Sequence, residues 1–200
     1  MPYSALILAG GMGSRLGFRE KALIDINGKT LIALIIERLE KVVDSIIISV
    51  RDRAQGELLK AALSREYRFA YDSHKNTGPM SGILSGLSAC EDEYCFIAAC
   101  DMPFINENVV RLLFRRSENY DAAIPRREDG FLEPLHAVYR CVPMIHETKK
   151  AIERGETIIL SPVFKMKVNY VPMDDVRKLD PDLRTFFNIN TNDDIQKLSR

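Results

Sequence analysis

The sequence has no excess of charge of either sign: 28 Lys and Arg stand against 28 Asp and Glu. A general nucleic-acid binder usually carries a strong basic excess, so the balance argues against that class. It does not argue against a local anion site, because a total hides placement. Four cysteines are present, Cys90, Cys95, Cys100 and Cys141, and no pair has C-x-x-C spacing. The usual zinc and redox patterns are therefore missing, and small buried hydrophobes in a reducing compartment are the expectation. Long apolar runs are missing too. Stretches such as Leu31 to Ile36 fall far below the roughly 20 residues of a membrane span. Met1-Pro2-Tyr3-Ser4 has no basic n-region and opens into a core strand, so no signal peptide is expected and the cytoplasm is the default. There is no internal repeat, low-complexity tract or linker. Residues 1–200 read as a single domain, which suits the length of one α/β fold.

What is present is ordinary globular material, 46% hydrophobic and 28% charged. Continuous apolar runs at 5–9, 46–50 and 94–99 suit strands buried on both faces of a parallel sheet. Weaker runs lie at 68–71 and 122–124. Between them are helical patterns. Thr30 can cap a helix to about Val43, with Leu31, Leu34, Ile35 and Leu39 inward. Residues 55–64, 80–90 and 106–116 read similarly. In the second half, 132–140 and 168–171 read as strands and 143–154 as a helix ended by Gly155. Thr191-Asn192-Asp193-Asp194 has capping-box spacing and starts a last helix to about Leu198. The β-α-β-α order predicts a three-layer α/β/α sandwich with a mostly parallel sheet.

Four constellations carry chemistry. The first is Leu8-Ala9-Gly10-Gly11-Met12-Gly13-Ser14-Arg15-Leu16-Gly17, with Lys21 just beyond. A glycine-rich turn after a buried strand can bring backbone N–H groups against phosphates, and Arg15 and Lys21 add positive charge. Gly-Lys-Ser/Thr is absent, so this is not a P-loop. Position 16 is Leu, so the dinucleotide fingerprint fits poorly. The second is Cys100-Asp101-Met102-Pro103. Asp101 ends a buried strand, where open α/β sheets bind ligands, and could hold magnesium or simply cap a helix. The third is Asp72 with Gly78-Pro79-Met80-Ser81-Gly82 and Gly86. Gly82 and Gly86 share a helix face, which allows either close helix–sheet packing or room for a base or sugar. The fourth is Pro134-Leu135-His136 with Asn188-Ile189-Asn190-Thr191. The asparagines could meet a polar ligand or close a turn. His136 could be a core histidine or an acid or base.

Taken in order, these segments resemble the molybdenum cofactor guanylyltransferases, within the Rossmann-like nucleotidyltransferases. Leu8, Ala9, Gly10, Gly11, Arg15, Gly17 and Lys21 match the opening motif. Asp72 and the segment from Gly78 to Gly82 match the Gly-Pro helix start. Cys100-Asp101-Met102-Pro103, Pro134-Leu135, and Asn188, Asn190 and Thr191 match the rest. The chain departs at Glu20, where the family often has Asp. It departs again at Ser49 and Arg51, where asparagines are frequent, and at Asn192 in place of Pro. The resemblance implies transfer of GMP from GTP to the terminal phosphate of molybdopterin, with Mg2+. The alternatives are CTP, or another phosphate monoester such as a sugar phosphate. It implies Arg15, Lys21 and Asp101 as catalytic residues, with Asp101 on the metal. Leu8, Ala9, Gly10, Gly11, Gly13, Lys21, Asp72, Gly78, Gly82 and Asp101 would bind the nucleotide. Pro134, Asn188 and Asn190 would bind the acceptor. The nucleotide half runs to about residue 103 and the acceptor half from about 104 to 200. No nucleic acid or membrane partner is implied, and transient contact with cofactor-handling proteins is left open.

Overall fold

The structure is a computed structural model, and it describes residues 2–13, 19–74 and 77–198. In chain order the strands are β1 (Ser4–Leu8), β2 (Met12–Gly13), β3 (Arg19–Glu20), β4 (Asp25–Ile26), β5 (Lys29–Thr30), β6 (Ser45–Val50), β7 (Arg68–Tyr71), β8 (Tyr94–Ala99), β9 (Ala122–Arg126), β10 (His136–Arg140) and β11 (Val168–Pro172). The helices are α1 (Leu31–Leu39), α2 (Arg53–Ala62), α3 (Met80–Ser88), α4 (Glu107–Ser117), α5 (Cys141–Glu153), α6 (Leu160–Val163), α7 (Met173–Arg177) and α8 (Asn192–Leu198). Seven strands form one sheet in the order β11-β9-β10-β8-β1-β6-β7. Every pairing is parallel except those of β10, which runs antiparallel to both β8 and β9. The expected mostly parallel α/β architecture is present.

Period-two alternation divides the core between the two faces. Ala5 and Ile7, Ile46 and Ile48, and Phe96 and Ala98 pack with the buried residues of α1 and α4. Leu6, Ile47, Cys95 and Ile97 point the other way, against Ile83 and Leu87 of α3 and Met144 of α5. Because both faces are covered, the central strands read as unbroken apolar runs. Helix starts follow their caps. The side chains of Thr30, Asp52 and Asn106 accept from backbone N–H groups in the first turns of α1, α2 and α4, each worth ~1 kcal/mol.

Three local expectations are corrected. Helix α1 stops at Leu39, and the Val42 and Val43 N–H groups both turn back to the Leu39 carbonyl, which aims the chain into β6. Leu34 is only half-buried, in a small cluster with Ile26, Leu31 and Ile189, while Ile32 and Ile36 face the main core. The strand expected from Leu132 begins at His136. Pro134 has no N–H to give a ladder, and the chain turns there, with the His136 N–H bonded to the Glu133 carbonyl.

Candidate active site

All the parallel strands end on one edge of the sheet, and a cleft of about 400 Å³ opens there. Leu8, Gly10, Gly11, Lys21, Asp72, Gly78, Gly82 and Asp101 line it, joined by Ser49, Pro79, Ala99, Cys100 and Leu135. β1 and β8 are hydrogen-bonded neighbours, with Leu8 opposite Ala99. The turn after β1 and the aspartate after β8 therefore meet, although some 90 residues of sequence separate them. This is the ligand edge of an open α/β sheet.

Lys21 and Asp101 are ion-paired. Lys21 Nζ lies 2.6 Å from Asp101 Oδ2 and 2.9 Å from Asn190 Oδ1. The lysine side chain is 14% exposed and the aspartate 18%, so both are shielded yet open to the cleft. Asp101 Oδ1 is buried and has no hydrogen-bond partner. An ionised carboxylate oxygen left unsatisfied is costly, so this one fits a cation. No group of three or more His, Cys, Asp or Glu side chains able to hold a metal occurs among the described residues. A divalent ion at Asp101 would thus complete its shell from water and substrate phosphates, as magnesium commonly does. The Ile189 N–H donates to the Asp101 carbonyl, tying the Asn188–Asn190 segment to the strand end. Asn188 Nδ2 donates to the Phe186 carbonyl.

The far wall is built on Asp72. Ser49 Oγ donates to Asp72 Oδ1 at 3.1 Å. Burial pushes the Asp72 carboxyl above its usual value, and the Ser49 hydrogen bond draws it part of the way back. A Cβ on Gly82 would stand 2.6 Å from Ser49 Oγ and 3.4 Å from Asp72 Oδ1. Gly82 therefore serves both packing and the cleft. Gly86 serves packing alone, since a Cβ there would run into Leu6. Gly78 sits at φ +57, and a Cβ on it would lie 2.9 Å from the Thr157 carbonyl oxygen.

Other sequence candidates fall differently. Arg15 lies outside the described residues. Ala9 is buried behind the cleft, its N–H bonded to the Ser49 carbonyl; its N–H is therefore not available to a phosphate as the sequence suggested. Gly13 is in β2, opposite Arg19 of β3. His136 is fully buried, with Nε2 3.0 Å from Thr185 Oγ1. Burial drives its pKa down to about 3, so it is a neutral core histidine between Phe96 and Phe186.

Pro134 lines a second, larger groove of about 670 Å³ on the same sheet edge, with Phe131, Leu132, Ile158, Phe164 and Tyr170. Phe131 is 71% exposed and Ile158 64%. Consecutive residues, Pro134 and Leu135, face the groove and the cleft in turn. Sequence reasoning noted Ser49 only as a departure. The available signal was its place at a strand end, the same position that marked Asp101.

Comparisons with known proteins agree with this geometry. A family model for the MobA-like NTP transferase domain matches residues 5–165. The probable molybdenum cofactor guanylyltransferase of Methanosarcina mazei is 46% identical over 200 residues, covering 98% of this chain and 89% of the relative. The crystal structure of molybdopterin-guanine dinucleotide biosynthesis protein A from Archaeoglobus fulgidus is 34% identical, with a TM-score of 0.84 over 98% of this chain and 96% of that one. The 4-diphosphocytidyl-2C-methyl-D-erythritol synthase of Anaerococcus prevotii, at 16% identity and a TM-score of 0.72 over 99% and 94% of the two chains, shares the fold. No helix among the described residues is long and apolar enough to cross a membrane. The match takes in the strand ends that build the cleft, and on that ground the chain belongs to the MobA-like NTP transferase family and is a nucleotidyltransferase.

Proposed function

We propose that the protein is a cytoplasmic enzyme that transfers GMP from GTP to the terminal phosphate of molybdopterin. The observation that carries this reading is the Lys21–Asp101 pair, 2.6 Å apart at the mouth of the cleft, beside a glycine-rich turn and a buried carboxylate. An acceptor phosphate oxygen attacks the α-phosphorus of GTP. The new P–O bond forms as the bond to the bridging oxygen breaks, and pyrophosphate leaves with the electron pair. A phosphate monoester is largely dianionic at neutral pH, so the nucleophile needs no general base. What the reaction needs is alignment and charge neutralisation.

Lys21 supplies positive charge where the triphosphate lies, and Gly10 and Gly11 let the backbone approach it without side chains. By sequence alone, Arg15 adds a second cation. Asp72 accepts from the base. Guanine offers two adjacent N–H donors on one edge, which suits an acceptor-only carboxylate. Ser49 holds that carboxylate, and Gly78 and Gly82 leave room beside it. Enzymes of this type use a divalent metal. Mg2+ on Asp101, when bound, would neutralise phosphate charge and favour the departing pyrophosphate. Residues to about 103 hold the nucleotide and those beyond hold the acceptor. Acceptor contacts fall to Pro134 in the apolar groove and to Asn188 and Asn190 near Lys21.

Thermal-shift measurements with GTP, CTP, ATP and UTP, each with Mg2+, test the base. A shift with GTP alone is expected, because a ligand of the native state raises its melting point by mass action. Pyrophosphate release with GTP and molybdopterin tests the reaction. A shift confined to CTP, or release only with a sugar phosphate, would overturn the reading.

A further inference from the structure

A second polar network lies under the glycine-rich loop, centred on Gln55. This side chain is fully buried in the first turns of α2, on the same face as Leu59. Its Nε2 donates to the Ala9 carbonyl at 2.8 Å and to Glu20 Oε2 at 2.8 Å. Its Oε1 accepts from the Arg51 N–H at 2.9 Å. Ala9 is the last residue before the loop, and Glu20 is the residue that returns from it. One amide therefore ties together the two stems of the loop. Arg51 completes the arrangement with a two-pronged bond. Its guanidinium donates to Glu20 Oε2 at 3.2 Å and also to Glu20 Oε1.

Glu20 is bonded through the chain to Lys21, whose Nζ must reach Asp101 and Asn190 on other segments. A lysine side chain has much rotamer freedom to lose, and a long side chain keeps its aim only if its backbone is held. Glu20 is the holding point. A buried polar network with all its groups paired is rigid, and one broken bond loosens the rest. Glu20 and Arg51 are partly exposed, at 19% and 31% of their side chains, so altering them leaves the hydrophobic core intact.

We infer that Gln55, Glu20 and Arg51 form a clamp that closes the base of the loop and aims Lys21 at the phosphates. They are positioning residues for the transfer reaction, and the inference rests on the reading that this loop holds a triphosphate.

The test is calorimetric binding of GTP, inorganic tripolyphosphate and guanosine to the wild type, to Glu20→Gln and Arg51→Ala, and to each of these combined with Lys21→Ala. The clamp predicts that Glu20→Gln and Arg51→Ala each weaken GTP and tripolyphosphate about tenfold and leave guanosine within about twofold. It also predicts that the loss nearly vanishes in the Lys21→Ala background, because the effect passes through Lys21. Gln55→Leu should behave alike if it folds; the two partly exposed positions carry the test if it does not. Equal weakening of guanosine and tripolyphosphate would show a merely structural role and overturn the clamp. So would a loss that persists undiminished without Lys21, or wild-type affinity in both variants. A wild type that binds tripolyphosphate but not GTP would sink the guanine reading and leave the clamp readable on tripolyphosphate. A wild type that binds neither would overturn both.

Discussion

The two hollows on the ligand edge of the sheet are built by opposite means. The cleft over β1, β6 and β8 is held by hydrogen bonds from polar side chains in and under it: Lys21 to Asp101 and Asn190, Ser49 to Asp72, and Gln55 to the Ala9 carbonyl and Glu20. The groove beyond β10 shows apolar carbon to water at Phe131, Ile158 and Phe164. Polar pairs set atoms at fixed positions, as a reacting phosphate requires. An apolar trough grips a flat ring with less regard for position. On the proposed function, the cleft would do the chemistry and the groove would hold the acceptor by its body. The boundary between them falls between Leu135 and Pro134.

The most severe way to break this division is Asp101→Asn. It removes the charge that faces Lys21 and blunts the orphan Oδ1 as a cation ligand. Turnover should fall at least about 100-fold, the scale of losing one preorganised charge-stabilising group, and dependence on added divalent metal should flatten. Steady-state rates across a magnesium titration would check this; full magnesium-dependent turnover would refute the metal assignment.

A smaller effect sharpens the cleft itself. Gly82→Ala and Gly86→Ala both force a methyl into a packed helix–sheet contact, and each should cost about 1–3 kcal/mol of stability. Only Gly82→Ala displaces Ser49 from Asp72, so only that variant should also lose nucleotide affinity. Melting curves with and without GTP would separate the two. Equal loss of affinity in both variants would place Gly82 in packing alone.

The smallest effect belongs to the groove. Phe131→Ala should raise KM for the acceptor about fivefold, the scale of an exposed aromatic contact worth ~1 kcal/mol. KM for GTP should not move. If GTP suffers instead, the division between cleft and groove is wrong.

Much of the fold was legible because the central strands are buried on both faces. Ala5 to Leu8, Ile46 to Val50 and Tyr94 to Ala99 have no polar alternation to mislead, and Thr30 announced its helix as a side-chain cap. The irregular half was harder. Pro134 broke a run that looked like one long strand, and nothing local shows that β10 runs antiparallel to its neighbours. At the site, Asp72 and Asp101 stood out as carboxylates at the ends of apolar runs, and Lys21 as a cation just beyond a glycine-rich turn. Gln55 did not. On a helix pattern it is one polar residue beside Arg53, Glu57 and Lys60, and its partners Ala9 and Glu20 lie 46 and 35 residues away. Only the folded arrangement discloses that its amide is spent on both stems of a loop.

The bond from Lys21 to Asn190 spans 169 residues, and the Ile189 N–H reaches back to the Asp101 carbonyl. This has a consequence in time. A chain growing from its N-terminus can assemble β1, β6 and β7 early, and Asp101 arrives with β8. Lys21 acquires its second anchor only when the segment around residue 190 has emerged and docked. A nascent chain halted before that point would hold the glycine-rich turn and the aspartate but leave the lysine held on one side only. Lys21 therefore gains its second anchor only after most of the surrounding core has formed.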